Sequence, residues 1–334
     1  MRREDATFDV CIEAIAYRLG SRAETGAELA RDNPAWNIGE IEAKTGVKTR
    51  HVAAEGETAA DIAAIAARDL WAQGVDPARI GALIFVTQSP DHLLPTTACL
   101  LQERLGLSKA CIAFDINQGC SGFVYGLGVS ASLIQSGLAD QVLLLCADTY
   151  SRYIAADDRA CRPLFSDAAA AILVARREGA SMGPFVFGSD GSGAENLIVK
   201  GGGARDAVAA IAAPPRLVMK GPQVFMFTMS AVPKVVQGLL EAGRVTAKDI
   251  DLFVFHQASA IVLDNIARHL ELPPDKVYSN LERIGNTVSA SIPIALADAL
   301  AAGRLRDGQR VLVCGFGVGF SWGGALLRWG GSRA

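Results

Sequence analysis

The chain has 334 residues, of which 50% are hydrophobic and 20% are charged. This composition is typical of a globular protein with ample core, and the length allows two domains or one large duplicated domain. A net charge of −3 gives no reason to expect nucleic acid as a partner. No apolar run approaches the roughly 20 residues that a membrane helix needs, so we also expect no membrane partner.

The cysteines and histidines do not form the patterns of disulfide frameworks or zinc sites. The seven cysteines are odd in number and contain no Cys-x-x-Cys pair. With only four histidines, we predict no metal site, and no motif indicates a bound cofactor. The N-terminal residues lack the apolar core of a signal peptide. The sequence therefore predicts a reduced, soluble protein of the cytoplasm.

The first part of the chain predicts an alternating series of strands and helices. In chain order these are an apolar strand at 82–86, a helical segment ending at 105–107, a short strand before Gly119, a helix of small residues, and an apolar strand at 142–147. Continuous apolar runs are typical of buried strands that carry helices on their faces.

The same series returns about 170 residues later. The second copy has an apolar strand at 252–255, a helical segment ending at 270–272, a glycine turn at 285–286 and a strand at 311–314. We therefore predict an α/β protein of two pseudo-repeated halves. The N-terminal half is assigned to residues 1–175 and the C-terminal half to 176–334.

Three polar residues follow predicted strands and are the candidates for chemistry. Cys120 lies in a turn flanked by Gly119 and Gly122, where the backbone can bend sharply. A cysteine at a helix start has the positive end of the helix beside it, so we expect the thiolate to be favoured. His256 and Asn286 take comparable places in the second half. Open α/β sheets bind ligands at these strand ends.

Five segments carry a resemblance to a known family. The chain resembles the β-ketoacyl-ACP synthases III of the thiolase-like superfamily. The matching segments, in chain order, are Thr45 to His51, Ala113 to Phe123, His256 to Ala258, Gly285 to Pro293 and Gly315 to Gly323.

The resemblance implies a thiolase-like five-layered αβαβα fold and a catalytic triad of Cys120, His256 and Asn286. The implied reaction is a decarboxylative Claisen condensation. An acyl group passes from acyl-CoA to Cys120, and malonyl-ACP then loses carbon dioxide and attacks it to give a β-ketoacyl thioester. The backbone N–H groups of Cys120 and Val318 would form the oxyanion hole. The implied partners are acyl carrier protein and a second copy of the chain, joined in a homodimer through the strand at 111–115.

The acyl pocket departs from the pattern of housekeeping members. Asn117 and the two residues after it replace small alanines before the cysteine. Leu94 takes the place of an aromatic residue that reaches across the dimer, so we expect a longer or branched acyl group. Val318 replaces the middle glycine of the C-terminal loop, between the substrate-binding residues Gly317 and Gly319.

The entrance for CoA and carrier protein also differs from that of the family's other members. Glu40 stands where relatives have a tryptophan that stacks on adenine, with Trp36 as a possible substitute, and Ile261 replaces a basic residue. Acyl carrier protein is acidic, so its docking depends on basic residues. We therefore expect an accessory enzyme of specialised metabolism. The basic residues retained are Lys44 and Arg159, assigned to substrate binding with Trp36, and Arg268, assigned to carrier docking.

Alternative functions stay open at this point. The acyl group of Cys120 can instead pass to an oxygen or nitrogen nucleophile without decarboxylation. A non-catalytic partner subunit would be expected to lack the cysteine nucleophile. A hydroxymethylglutaryl-type synthase needs a glutamate base, and we find no glutamate placed for that role.

Overall fold

The computed structural model describes residues 7–206 and 215–330. Within these ranges the strands are β1 Val10–Leu19, β2 Arg22–Thr25, β3 Thr49–Val52, β4 Ala82–Val86, β5 Ile112–Ile116, β6 Gln141–Asp148, β7 Ala168–Arg176, β8 Ser181–Ser189, β9 Leu197–Lys200, β10 Arg216–Met219, β11 Leu252–Phe255, β12 Arg310–Gly317 and β13 Ser321–Arg328. The α-helices are α1 Gly26–Asp32, α2 Ile38–Thr45, α3 Ala59–Ala72, α4 Thr97–Arg104, α5 Gly122–Gln135, α6 Gly221–Gly243, α7 Ala260–His269, α8 Leu281–Ile284 and α9 Ser291–Ala301.

The two main sheets share an arrangement of four strands. The first has the order β1-β7-β6-β4-β5 and the second β8-β13-β12-β11. In each sheet the two strands that the repeat predicts run parallel to one another: β4 with β6 in the first, and β11 with β12 in the second. The next strand along the chain, β7 or β13, pairs antiparallel with the second of these. The predicted repeat of two halves is confirmed by this match. The predicted division after residue 175 falls at the last residues of β7.

The second half differs from the first at its outer edge. The counterpart of β5 is reduced to one isolated parallel bridge between Phe253 and Val277. No regular strand therefore precedes the turn at Asn286 in this part of the chain, contrary to the sequence prediction.

The helices form three layers around the two sheets, so the predicted five-layered αβαβα fold is confirmed. Helices α3 and α4 pack on one face of the first sheet. Helices α5 and α9 fill the space between the sheets, in a core to which both halves contribute. Helices α6 and α7 cover the outer face of the second sheet.

The central layer requires close packing, and its sequence supplies small residues. All eight residues of β6 are buried, as expected for a strand covered on both faces. A Cβ atom added to Gly126 of α5 would lie 2.6 Å from Cδ1 of Leu144 on β6. The glycine thus lets the helix approach the sheet at interior packing density.

No helix in residues 7–206 and 215–330 combines the length and apolar composition needed to cross a lipid bilayer.

Candidate active site

The carboxyl end of β12 is the point where the two halves meet around the candidate residues. His256 directly follows β11, and its backbone N–H donates to the carbonyl of Cys314 on β12 at 2.9 Å. Its ring meets the ring of Phe316 edge-on, with centroids 5.6 Å apart. The next residue, Gly317, contacts Cys120, because an added Cβ there would lie 2.9 Å from the Cys120 sulfur. The end of β12 therefore contacts both residues.

Cys120 lies in a tight turn between β5 and α5, with only 5% of its surface exposed. Burial, with a smaller contribution from the charge of Asp148, raises the pKa of its thiol to about 12. The backbone N–H groups of Val318 and of Cys120 itself oppose this rise. Burial therefore opposes the expected preference for thiolate. Helix α5 begins at Gly122, two residues later.

His256 is buried and uncharged at neutral pH. Burial lowers the pKa of its imidazole to about 3. Its Nδ1 atom lies 2.7 Å from Oγ of Ser291, the first residue of α9. Its Nε2 atom lies 3.4 Å from Nδ2 of Asn286. The structure thus brings the predicted histidine and asparagine side by side.

Asn286 is held in its turn by backbone groups on both sides of its amide. Its Oδ1 accepts a hydrogen bond from the N–H of Val288 at 3.0 Å, and its Nδ2 donates to the carbonyl of Ala258 at 3.3 Å. Gly285 and Val288 have positive φ angles of 75° and 53°. A β-branched residue rarely adopts that conformation, and such strain persists where the surrounding structure enforces it. The amide is therefore oriented before any substrate binds.

Asp148, at the end of β6, is a buried carboxyl group that the sequence analysis missed. One oxygen accepts the N–H of Gln88 at 2.8 Å, and the other accepts the N–H of Ser289 at 3.2 Å and its hydroxyl at 2.5 Å. Burial raises its pKa to about 7, although these hydrogen bonds oppose the rise. Asp148 ties the first half to the segment that follows Asn286. The signal in the sequence was an aspartate at the end of an apolar strand.

A cavity of about 550 Å³ opens beside Val318 and Gly319. Three of its wall residues form a polar chain in which the Tyr150 hydroxyl donates to Oε1 of Gln88 at 2.5 Å, and Nε2 of Gln88 donates to Oδ1 of Asn117 at 3.1 Å. The predicted pocket residue Leu94 is 83% exposed in the single chain. Its neighbour Leu93 lines the cavity instead.

The predicted entrance residues lie on α2, on α7 and in the loop after β6. Nη2 of Arg159 lies 3.5 Å from a carboxylate oxygen of Glu40, so the acidic replacement faces the arginine. Lys44 is exposed on α2, and Trp36, just before α2, is half-buried. Arg268 is exposed on α7 and donates to Asn265 at 3.4 Å. Helices α2 and α7 are neighbours.

Comparison with known proteins places this chain in a family. Residues 114–191 match the model for 3-oxoacyl-[acyl-carrier-protein] synthase III, and residues 240–329 match the model for its C-terminal part. The β-ketoacyl-[acyl-carrier-protein] synthase III of Symbiobacterium thermophilum is 39% identical over 96% of this chain and 98% of its own length.

Solved structures agree with the family match. A crystal structure of a 3-oxoacyl-(acyl-carrier-protein) synthase III superposes with a TM-score of 0.92 at 42% identity, covering 96% of this chain and 100% of the other. A 3-oxoacyl-(acyl-carrier protein) synthase from Burkholderia xenovorans gives a TM-score of 0.91 at 34% identity, covering 98% and 96% of the two chains. The chain belongs to the 3-oxoacyl-[acyl-carrier-protein] synthase III family of condensing acyltransferases.

Proposed function

We propose that the protein condenses an acyl thioester with malonyl-ACP through an acyl-Cys120 intermediate and releases a β-ketoacyl thioester. The observation that carries this proposal is the pair formed by His256 and Asn286. Two buried, uncharged side chains lie 3.4 Å apart beside the segment that contacts the cysteine. Such a pair suits an oxygen that gains negative charge during the reaction.

The first step transfers the acyl group to the cysteine. The sulfur of Cys120 attacks the thioester carbonyl of acyl-CoA, and the carbonyl oxygen becomes negatively charged. The N–H groups of Val318 and Cys120 already reach the sulfur and lower its pKa, which supports their role as donors to that oxygen. Cys120 loses one proton and the departing CoA thiol gains one, so the step needs no net acid or base. The cavity beside Val318 would receive the acyl chain.

The second step makes a carbon nucleophile from the malonyl thioester. Carbon dioxide leaves with cleavage of the C–C bond, and the bonding electrons form an enolate whose charge lies on the thioester oxygen. His256 and Asn286 would donate hydrogen bonds to that oxygen. The enolate carbon then attacks the acyl-Cys120 carbonyl, and collapse of the tetrahedral intermediate expels the Cys120 sulfur as a thiolate. The thiolate takes up one proton from water, which is the proton that the overall reaction consumes.

Acyl transfer to an oxygen or nitrogen nucleophile is the second candidate. It would use Cys120 but would leave an oriented amide at Asn286 without a function. The two backbone hydrogen bonds that fix this amide therefore favour condensation.

The substrate entrance supports a specialised role with altered carrier contacts. We propose that Lys44 binds substrate and that Arg268 contacts the carrier. The approach of Glu40 to Arg159 would weaken the contribution of this arginine to CoA binding. Ile261 is 41% exposed at the start of α7, where it adds apolar surface instead of charge. We also propose that the enzyme acts in the cytoplasm as a homodimer.

Intact-protein mass spectrometry after mixing with a panel of acyl-CoAs tests the reaction. The wild type and the control Cys99→Ser, which changes an exposed cysteine, should gain an acyl group, whereas Cys120→Ser should not. A chase with malonyl-ACP should discharge the label and release a β-ketoacyl thioester. Label that persists despite malonyl-ACP would overturn condensation and favour an alcohol or amine acceptor.

Ile261→Arg tests the docking surface. If an acidic carrier approaches α7, the added cation should lower the KM for malonyl-ACP by a few-fold at low salt and leave the KM for acyl-CoA unchanged. Glu271→Gln, two residues beyond the end of α7, makes the same change of +1 in net charge and controls for a general change in charge. Equal effects of both variants would contradict docking at the start of α7.

A further inference from the structure

We propose that Ser291 is a positioning residue, because its hydroxyl donates a hydrogen bond to Nδ1 of His256 and so keeps the ring proton on Nε2. This inference rests on the proposed function for its catalytic consequence. The side chains are 2.7 Å apart. Both residues are only 2% exposed, so water does not compete strongly for this contact.

The direction of the hydrogen bond follows from the partners that Ser291 lacks. Within residues 7–206 and 215–330, His256 is the one hydrogen-bond partner of the Ser291 hydroxyl. If Nδ1 carried the ring proton it would donate to Oγ, and the buried serine O–H would be left without an acceptor. An unsatisfied buried donor is destabilising. When the serine donates instead, its donor is satisfied and Nδ1 is the acceptor. The donor left without a protein acceptor is then Nε2–H, to which the thioester oxygen of the proposed reaction would be an acceptor, whereas no step of that reaction brings an acceptor to the serine O–H.

A neutral imidazole carries one ring proton, so an accepting Nδ1 leaves the proton on Nε2. Burial lowers the pKa of His256 to about 3, so the doubly protonated ring is not populated at neutral pH. Ser291 therefore selects between the two neutral forms of the ring without changing its charge.

The asparagine beside the ring is fixed as a donor by independent contacts. Val288 and Ala258 orient the amide of Asn286, as described above, so that an N–H group faces Nε2. The distance of 3.4 Å is long for a hydrogen bond between these atoms. With a proton on each nitrogen, the two groups do not satisfy one another, and both are available to one shared acceptor.

The thioester oxygen that gains charge during decarboxylation is such an acceptor. Loss of the Ser291 hydroxyl would allow the other ring form, in which Nε2 accepts a hydrogen bond from Asn286 and no longer donates. One of the two donors to the enolate would then be lost in part of the enzyme population. We expect decarboxylation to slow by about 10- to 100-fold, which is less than the loss caused by deleting such a donor outright.

Nitrogen-15 NMR of histidine-labelled enzyme tests the ring form without reference to activity. The chain has four histidines, and the spectrum of His256→Gln identifies the signals of His256. In the wild type, Nε2 should give the signal of a protonated ring nitrogen and Nδ1 that of an unprotonated one. Ser291→Ala should show a gain of the Nδ1-protonated form. A protonated Nδ1 in the wild type, or unchanged signals in Ser291→Ala, would overturn the proposal.

Partial reactions test the consequence. Ser291→Ala should slow carbon dioxide release from malonyl-CoA and leave acyl transfer to Cys120 within about twofold of the wild type. The matched control is Ser130→Ala, which removes a buried hydroxyl that bonds the carbonyl of Gly126 at 2.7 Å within α5. An equal slowing of both partial reactions in Ser291→Ala would indicate a merely structural role.

The two experiments separate failure of this inference from failure of the proposed function. A wild type that does not release carbon dioxide from malonyl-CoA or malonyl-ACP would refute the condensation reaction. The NMR signals of His256 would still decide the direction of the Ser291 hydrogen bond.

Discussion

At the scale of single residues, the nucleophile depends on a glycine for its space. Gly317 ends β12 against Cys120, and an added Cβ would lie 2.9 Å from both Cβ and Sγ of the cysteine. That distance is shorter than a normal van der Waals contact, so either the cysteine or the strand end must move. The backbone N–H of Val318, the next residue, faces the same sulfur. A shift at this point therefore disturbs both the nucleophile and its proposed oxyanion hole.

We predict that Gly317→Ala slows acylation of Cys120 by at least about 100-fold, because small misplacements of reacting groups have effects of that size. Gly191→Ala is the matched control, since an added Cβ there meets no atom within 4 Å. Time-resolved mass spectrometry of the acyl-enzyme gives the rate, and circular dichroism verifies the fold. Normal acylation of a folded Gly317→Ala enzyme would contradict the prediction, because it would show that the end of β12 can move without displacing Cys120.

His256 should contribute to the pH dependence of the free energy of unfolding. Its pKa is about 3 in the folded protein and near 6.5 when unfolded. Below pH 6.5 the unfolded chain binds a proton that the folded protein does not, so the stabilising contribution present above pH 6.5 is lost as the pH falls toward 3. By pH 4 this loss amounts to about 3 kcal/mol.

We predict that His256→Gln loses less stability than the wild type between pH 7 and pH 4. Urea unfolding at a series of pH values measures this difference, and other titrating groups cancel because both proteins share them. His269→Gln, at an exposed position on α7, should behave as the wild type does. Parallel curves for the wild type and His256→Gln would mean that His256 becomes protonated within the folded protein.

At the scale of elements, a buried ion cluster joins β2, β3 and α1 to the site. Glu24 on β2 forms ion pairs with Arg50 on β3 and, at 2.9 Å, with Arg162. Burial alone would raise the pKa of Glu24, but the hydrogen bonds and charges of the two arginines lower it. Arg50 also donates to the carbonyl of Phe165 at 3.1 Å, and Phe165 pairs with Asn286. The cluster therefore supports the turn that carries Asn286.

We predict that Glu24→Gln lowers the free energy of unfolding by about 3–5 kcal/mol, because it leaves the buried Arg50 without its counter-charge. Asp32→Asn is the control. It removes the other carboxylate partner of Arg162, at 2.7 Å, but the Asp32 side chain is 39% exposed, and exposed pairs contribute at most about 1 kcal/mol. Urea denaturation measures both. Equal losses would show that burial does not determine how much these ion pairs contribute to the free energy of unfolding.

The secondary-structure elements also show which parts of the fold and of the site can be predicted from the sequence. The alternation of apolar strands and small-residue helices predicted the parallel strands of both sheets, helices α5 and α9, and the positions of Cys120 and His256 after strands. These features depend on local pattern and chain order. The strand predicted before Asn286 is reduced to a single bridge. The protonation state of Cys120 depends on burial and on Asp148, which belongs to another strand. The role proposed for Ser291 depends on a contact across 35 positions, which no local pattern specifies.

At the scale of the whole molecule, one sheet edge is left open. Among residues 7–206 and 215–330, strand β5 pairs only with β4, and all five of its residues are half-buried although the segment is largely apolar. Leu93 and Leu94, in the loop before α4, are 82% and 83% exposed. An apolar strand edge with unpaired backbone groups is a template for pairing with another chain. These observations support the proposed homodimer through residues 111–115.

We predict that the wild type has twice the mass of the 35.1 kDa chain in solution and that Ala113→Arg, at the second residue of β5 and the middle of the predicted interface segment 111–115, converts it to a monomer. Pairing of two β5 strands about a two-fold axis would bring the two arginines near each other, and like charges across paired strands are destabilising. Leu138→Arg makes a comparable change at a residue that is 63% exposed before β6, and it should leave the mass unchanged. Light scattering coupled to size-exclusion chromatography measures all three proteins. A dimeric Ala113→Arg would place the interface elsewhere, whereas a monomeric wild type would refute the dimer itself.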